Sequence, residues 1–173
     1  MRKGPWTAAG LLALFLSAAP SLLCAGKDAG GMIVHANSVI MSKPSSGDDV
    51  KNALIEILDA SLLILPKTDS TAECRSRIEV AKSEFDQKSL FTDKAHQHLS
   101  LAYRLVTGGK RWQFPAEISG DYREKDVMEK AKKACQVRID SALTEWKNDR
   151  REESVRYLLE YVLMVITPVE RQG

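Results

Sequence analysis

The sequence is short of the residue types from which most catalytic and metal sites are built. It has only 3 cysteines and 3 histidines among 173 residues, and aromatic residues amount to 6%. It contains no Cys-x-x-Cys pair, no haem-attachment sequence and no Gly-x-Ser-x-Gly nucleophile elbow. We therefore predict that the protein is not an enzyme and that it carries no cofactor.

Neither sign of charge is in large excess. The chain has 25 Lys and Arg residues against 23 Asp and Glu residues, which gives a net charge of +2. Such a chain has no general attraction to phosphate backbones, so we do not expect nucleic acid as a partner. Hydrophobic residues make up 44% and charged residues 28%, which excludes a disordered chain, a collagen and a multi-span membrane protein. This composition predicts one globular domain.

The first residues of the chain have the layout of a secretory signal peptide. Arg2 and Lys3 precede an apolar run over residues 7–19, which is shorter than the roughly 20 residues needed to cross a bilayer. We predict that residues 1–25 are cleaved before Gly26 and that the mature protein is exported, periplasmic or extracellular, without a transmembrane span. Cleavage would leave 23 basic residues against 23 acidic ones, and hence a neutral protein.

The same cleavage changes the cysteine inventory. Cys24 follows the apolar run directly and could be the lipidated first residue of a lipoprotein, but Leu23 stands where a small residue is preferred. A lipid anchor at Cys24 is therefore the less favoured alternative. Removal of Cys24 leaves Cys74 and Cys135, which we predict to form a disulfide between the second and fourth helices. The alternative is a pair of buried free thiols.

The mature chain divides into an arm, a helical domain and a tail. Residues 26–47 are rich in Gly, Ser and Pro and are predicted to be an irregular arm or linker. Their apolar stretch, residues 32–41, is expected to pack along the domain, although it could instead dock a partner. Residues 48–167 have helical periodicity throughout, and residues 168–173 form a short tail.

Helix signals within the domain predict an all-α, up-and-down bundle of four to five helices. Ser70 with Glu73, and Asp149 with Glu152, have the spacing of capping boxes. Residues 71–107 form either one long helix or a hairpin. The hairpin is favoured because Lys88 and Thr92 would place polar side chains at consecutive core positions.

The two C-terminal helices have clear apolar patterns. A helix starting near Asp121 is predicted to bury one stripe, and a last helix over residues 155–167 is apolar nearly all round, which predicts a place in the middle of the bundle. The predicted stripe consists of Val127, Ala131, Ala134, Cys135, Ile139, Ala142 and Trp146.

The best candidate binding residues lie in the loop that starts at Gly108. Lys110 and Arg111 supply positive charge, whereas Trp112 and Phe114 supply flat apolar faces. Together they could hold an anionic or aromatic ligand or a partner protein. The alternative is structural, because glycines end helices, cations suit helix C-termini and aromatic side chains cap an open bundle end.

Metal binding is a weaker hypothesis. His96 and His98 lie two residues apart, so on a helix they point to opposite faces and cannot bind one ion together. Asp93 and His96 share a face, but a metal site needs further ligands that the sequence does not place nearby. Asp93 and His96 are kept only as a weak candidate pair.

These observations favour a protein-interaction or assembly module of the cell envelope over other functions. Its expected partner is another envelope protein or a second copy of the chain, bound through the arm and the loop. The alternative is a carrier of a small ligand or metal, with a pocket between helices near His96 or Trp112.

Overall fold

The computed structural model describes residues 28–42, 46–87, 92–118 and 125–167. These residues form α1 (Ala29–Met41), α2 (Gly47–Ile64), α3 (Asp69–Gln87), α4 (Asp93–Val106), a 3-10 turn (Ala116–Ile118), α5 (Lys125–Lys147) and α6 (Arg151–Ile166). The described ranges contain no strand, so the predicted all-α bundle is confirmed. The predicted signal peptide, Cys24 and the tail lie outside the described residues.

The prediction of an irregular arm before residue 48 is wrong, because most of that segment is the helix α1. The Asp28 carboxylate caps it by accepting the N–H of Gly31 at 2.6 Å. Ile33 and Ala36 are fully buried, and α1 packs against α2 and α5. The sequence predicts that Gly30 belongs to a linker, but in the structure it lies in close contact with the ring of Trp146 on α5. The apolar stretch therefore packs on the domain, as the favoured alternative predicted.

The helix starts differ from those predicted. α2 begins with a capping box in which Ser46 Oγ accepts the N–H of Asp49 at 3.2 Å and Asp49 Oδ2 accepts the N–H of Ser46 at 2.9 Å. The predicted box at Ser70 is wrong because α3 already begins at Asp69, so Ser70 lies inside the helix and not at its N-cap. The predicted box at Asp149 is also wrong. Its φ is 57°, its carboxylate accepts Arg151 Nε at 2.8 Å, and α6 has no side-chain cap.

α3 and α4 are separate antiparallel helices, which confirms the hairpin and excludes one long helix. Cys74 lies beside Ala102, and Lys94 Nζ donates to Glu84 Oε1 at 2.6 Å nearer the turn. The connection itself, residues 88–91, lies outside the described part of the chain.

α6 is the central helix, as its apolar sequence predicts. It packs against α2, α4 and α5, and its N-terminal half is tied to α5 by Ser154 Oγ, which donates to the Ala142 carbonyl at 2.8 Å. α5 buries the predicted stripe from Val127 to Ala142, with Trp146 half-buried beside the core.

The predicted disulfide is wrong, because Cys74 and Cys135 are both buried free thiols. Cys74, on α3, donates to the Ala102 carbonyl of α4 at 3.6 Å. α3 packs against α4 and α2, whereas α5 packs against α6 and α1. The apolar stripe of α3, which contains Cys74, and that of α5, which contains Cys135, therefore face a shared core and not each other. Within the described ranges, no helix is long and apolar enough to cross a membrane.

Candidate functional site

The loop after α4 folds back along that helix. Gly108 and Gly109 have φ values of 64° and 101°, a backbone region that glycine adopts without strain, and Gly109 N donates to the Arg104 carbonyl at 2.7 Å. This reversal brings Trp112 next to His96, with ring centroids 5.8 Å apart in an edge-to-face arrangement. The glycines thus end α4 and also turn the loop towards its outer side.

The four predicted loop residues have two different roles. Trp112 and Phe114 are half-buried against the core, with ring centroids 6.0 Å apart. Lys110 and Arg111 are exposed to solvent. Phe114 therefore has the structural role considered above, because it packs against both the core and the Trp112 ring. Arg111 and the outer part of Trp112 remain accessible.

Two shallow grooves run along the outer side of α4 and share Leu101 and Arg104. One has a volume of about 360 Å³ and reaches the loop, and the other has a volume of about 410 Å³ and reaches Gly108 and Gly109. We call this joint surface the α4 groove. It is defined by His96, Leu101, Arg104, Leu105, Arg111 and Trp112.

The arginines of the α4 groove differ from the other arginines of the described chain. Arg104 and Arg111 make no ion pair or side-chain hydrogen bond to any described residue. Each of the other described arginines is ion-paired with a carboxylate or donates to a carbonyl oxygen. The one acid that lines the groove, Glu73, accepts from Arg77 Nη2 at 3.1 Å. The groove therefore carries an excess of positive charge, because its one acid is already paired with Arg77.

Apolar side chains lie between these charges. Leu105 is 45% exposed, although most leucines of the bundle are buried, and Leu101 is half-buried. Neither belongs to the inward-facing stripe of α4, which includes Leu99 and Ala102. Two accessible leucines next to an indole can bind an apolar side chain of a partner. The two unpaired guanidinium groups can at the same time bind carboxylates of neighbouring residues in that partner.

The sequence identifies only the loop half of this site. The sequence pattern does not mark the other half, because these residues lie outside the core stripe of α4: Leu101, Arg104 and Leu105. One signal was available, since leucines four residues apart form a second apolar row on the same helix. Such a row is ordinarily covered by a neighbouring helix, so only the fold shows that part of it stays accessible.

The candidate metal residues do not converge with other ligands. Among the described residues, no group of three or more His, Cys, Asp and Glu side chains is placed to hold an ion. His96 packs against Trp112, whereas His98 faces α3, with Nδ1 3.5 Å from Arg77 Nη1. Partial burial, together with the charges of Arg77 and Lys94, lowers the pKa of His98. The two rings thus face different neighbours, as their spacing predicts.

A second polar cluster lies between α4, α5 and α6, around Glu160. Its carboxylate accepts Tyr103 Oη at 3.2 Å and Arg156 Nη1 at 2.9 Å, and it lies 3.4 Å from Arg138 Nε. Burial, followed by the charge of Glu160, raises the pKa of the Tyr103 phenol. The cluster joins the three helices, although the buried Arg138 Nε contacts Glu160 only as an ion pair and makes no hydrogen bond to a described residue.

The thiols are also unsuited to chemistry. Burial, with the nearby charge of Glu152, raises the pKa of Cys74 to about 12. Burial likewise raises the pKa of Cys135 to about 11. Because the thiolate is the nucleophile, both cysteines are unreactive near neutral pH while the protein is folded.

Comparisons with protein-family models, with characterised proteins and with solved structures find no match to this chain. The α4 groove is the surface of the described residues that best fits a binding role.

Proposed function

We propose that the protein is a protein-interaction module and that the α4 groove is its docking surface. The observation that carries this proposal is the coincidence of two features on one surface. The unpaired guanidinium groups of Arg104 and Arg111 lie beside the exposed Leu105 and the accessible edge of Trp112. Tryptophan and arginine are the residues most enriched among those that dominate protein–protein binding energies.

The shape of the groove supports a macromolecular partner over a small ligand. Pockets for small molecules are clefts or cavities that bury most of the ligand surface. The α4 groove is instead partly open to solvent, with one part bordered by Glu73 of α3 and the other by Arg111 and Trp112 of the loop. A carrier of a small ligand or metal remains the second hypothesis, which native mass spectrometry of protein from its host would support by showing a bound mass.

We further propose that this interaction takes place outside the cytoplasm. The basic start and apolar run within residues 1–25 support export, and cleavage before Gly26 would give a neutral mature chain. The partner would then be another envelope or extracellular protein, or a second copy. A mature mass that begins at Gly26 in the exported fraction supports this proposal, and an intact N-terminus in the cytoplasm contradicts it.

Site-specific photo-crosslinking in the host tests the docking surface. A photoreactive amino acid replaces Leu105 in the full chain, and a matched variant carries it at Leu63, which is 61% exposed on α2. We expect one reproducible protein adduct from position 105 that is missing from position 63 and is identified by peptide mass spectrometry. Equal labelling from both positions, or no adduct from position 105, would reject the α4 groove as the docking surface.

A further inference from the structure

From the chemistry of the α4 groove we infer the class of partner. We propose that the groove binds a short extended peptide segment in which acidic residues alternate with large apolar ones. This inference rests on the proposed function and adds to it the charge, conformation and length of the bound segment.

The charge of the groove requires acids in the partner. Arg104 and Arg111 line one groove and have no partner among the described residues, and Lys110 is exposed beside them. Glu73 does not neutralise them, because Arg77 already pairs with it at 3.1 Å. A guanidinium group presents its donors in a planar fork that matches a carboxylate, so Asp and Glu side chains are its natural ligands.

The leucines and the indole require apolar side chains in the same segment. Leu101 lies in both parts of the groove, with Leu105 at one end and Trp112 at the other. A phosphate backbone would satisfy the arginines but would leave Leu105 in water. In an extended chain successive side chains point to opposite sides, so an alternating segment can send acids to one row and apolar groups to the other.

The length of the groove fixes the length of the segment. From His96 to Gly108 the axis of α4 and its C-terminal turn advances about 18 Å, at about 1.5 Å per residue. An extended peptide rises about 3.3 Å per residue, so about six residues span the groove. A linear peptide stretch of a partner can therefore fill the α4 groove, and no folded partner surface is needed.

A random peptide library displayed on phage tests the inference without assuming a sequence. Eight-residue peptides are selected on the folded full chain and, in parallel, on an Arg104→Glu/Arg111→Glu variant. The matched control is Lys133→Glu, which reverses an exposed cation on α5, away from the groove. Circular dichroism establishes that all three proteins are folded to the same extent.

We expect the selected peptides to be enriched in Asp and Glu together with Leu, Phe or Trp. For the most enriched peptide, fluorescence anisotropy should show about ten-fold weaker binding to the double variant and unchanged binding to Lys133→Glu, since each exposed charge pair contributes about two- to five-fold. Raising the salt concentration should weaken the binding to the unmodified chain.

Three outcomes would overturn the inference: no enrichment of acids, equal binding to the double variant, or binding of a single-stranded oligonucleotide with higher affinity than the best peptide. Its failure is distinguishable from failure of the proposed function. If photo-crosslinking at position 105 identifies a partner but the library yields no acidic peptides, the docking surface stands and only the assigned chemistry is wrong.

Discussion

At the scale of single residues, the side chains of neighbouring helices decide whether a glycine can be replaced by a larger residue. Gly30 and Gly47 each lie at the start of a helix, α1 and α2 respectively. A Cβ added at Gly30 would overlap the ring of Trp146, whereas a Cβ added at Gly47 meets nothing within 4 Å. Identical residues in similar local positions therefore serve different purposes.

This difference predicts opposite effects of the same substitution. Gly30→Ala should lower the free energy of unfolding by about 2 kcal/mol, because the added Cβ would overlap Trp146 Cζ3 and either the indole or α1 must shift. Gly47→Ala should raise it by about 0.5 kcal/mol, since alanine restricts the unfolded chain. Urea unfolding followed by circular dichroism measures both. If Gly30→Ala were as stable as the unmodified protein, the α1–α5 contact would be wrong.

At the scale of helices, the free N–H groups at a helix start can be satisfied by the side chain of the residue that directly precedes the helix. The Ser46 side chain satisfies a free N–H group of the first turn of α2, and the Asp49 side chain returns a bond to the Ser46 N–H. Ser70 has the right sequence spacing for the same role but lies within α3, where its hydroxyl contacts Thr68 Oγ1 at 2.9 Å. A serine caps a helix only if it lies where the helix begins.

Two matched substitutions distinguish these serines. Ser46→Ala should destabilise the protein by about 1 kcal/mol, because an N-cap bond is lost. Ser70→Ala should change stability by less than about 0.5 kcal/mol, since it removes only an exposed contact. Thermal unfolding of the two variants side by side is the measurement. An equal loss for both would contradict the position of the α3 start.

The sequence predicts the helices that follow residue 47 but misses α1. The stripe of α5 is correct from Val127 to Ala142 because repeated apolar spacing over several turns has few alternative explanations. α1 is missed because Gly30 and Gly31 disfavour a helix locally, and only the tertiary contact with Trp146 explains the presence of Gly30. The disulfide is mispredicted for a related reason, since an apolar stripe shows that Cys74 is buried but not which helix it faces.

The candidate site is predictable only in part. Arg111 and Trp112 stand out in the sequence because the loop that contains them is unusual in composition. Arg104 does not, because an arginine on a helix surface is ordinary and its lack of an ion-pair partner is a property of the fold. Pairing between distant side chains depends on how helices pack, and sequence periodicity carries no such information.

At the scale of the whole molecule, the core around α6 contains several groups that must stay protonated. Burial raises the pKa of Tyr161, which is fully buried, and the nearby Cys135 adds to this effect. The Tyr161 hydroxyl donates to Asn37 Oδ1 at 3.2 Å, and Asn37 Nδ2 donates to Gln136 Oε1 at 3.0 Å. This chain of hydrogen bonds links α6, α1 and α5, so ionisation of the phenol would disturb three helices together.

These buried acids predict that the protein loses stability in alkali. The unfolded chain releases the thiol protons near pH 9, whereas the folded chain retains them until about pH 12 at Cys74 and about pH 11 at Cys135. A folded pKa that is raised above the unfolded value gives stability that is complete below the unfolded pKa and declines as the pH rises towards the folded pKa. Tyr103 and Tyr161 extend the decline above pH 10 by the same argument.

We therefore expect the free energy of unfolding to be constant from pH 7 to pH 8 and to fall by on the order of 3 kcal/mol between pH 8 and pH 10, as measured by urea unfolding at each pH. A Cys74→Ala/Cys135→Ala variant, although less stable at every pH, should lose only about 1 kcal/mol over the same interval, because Tyr103 and Tyr161 are then the remaining buried acids with a raised pKa. The comparison uses the change with pH within each protein, so the cavities that alanine leaves do not affect it. Equal pH dependence in the two proteins would mean that the thiols are not buried in the core around α6.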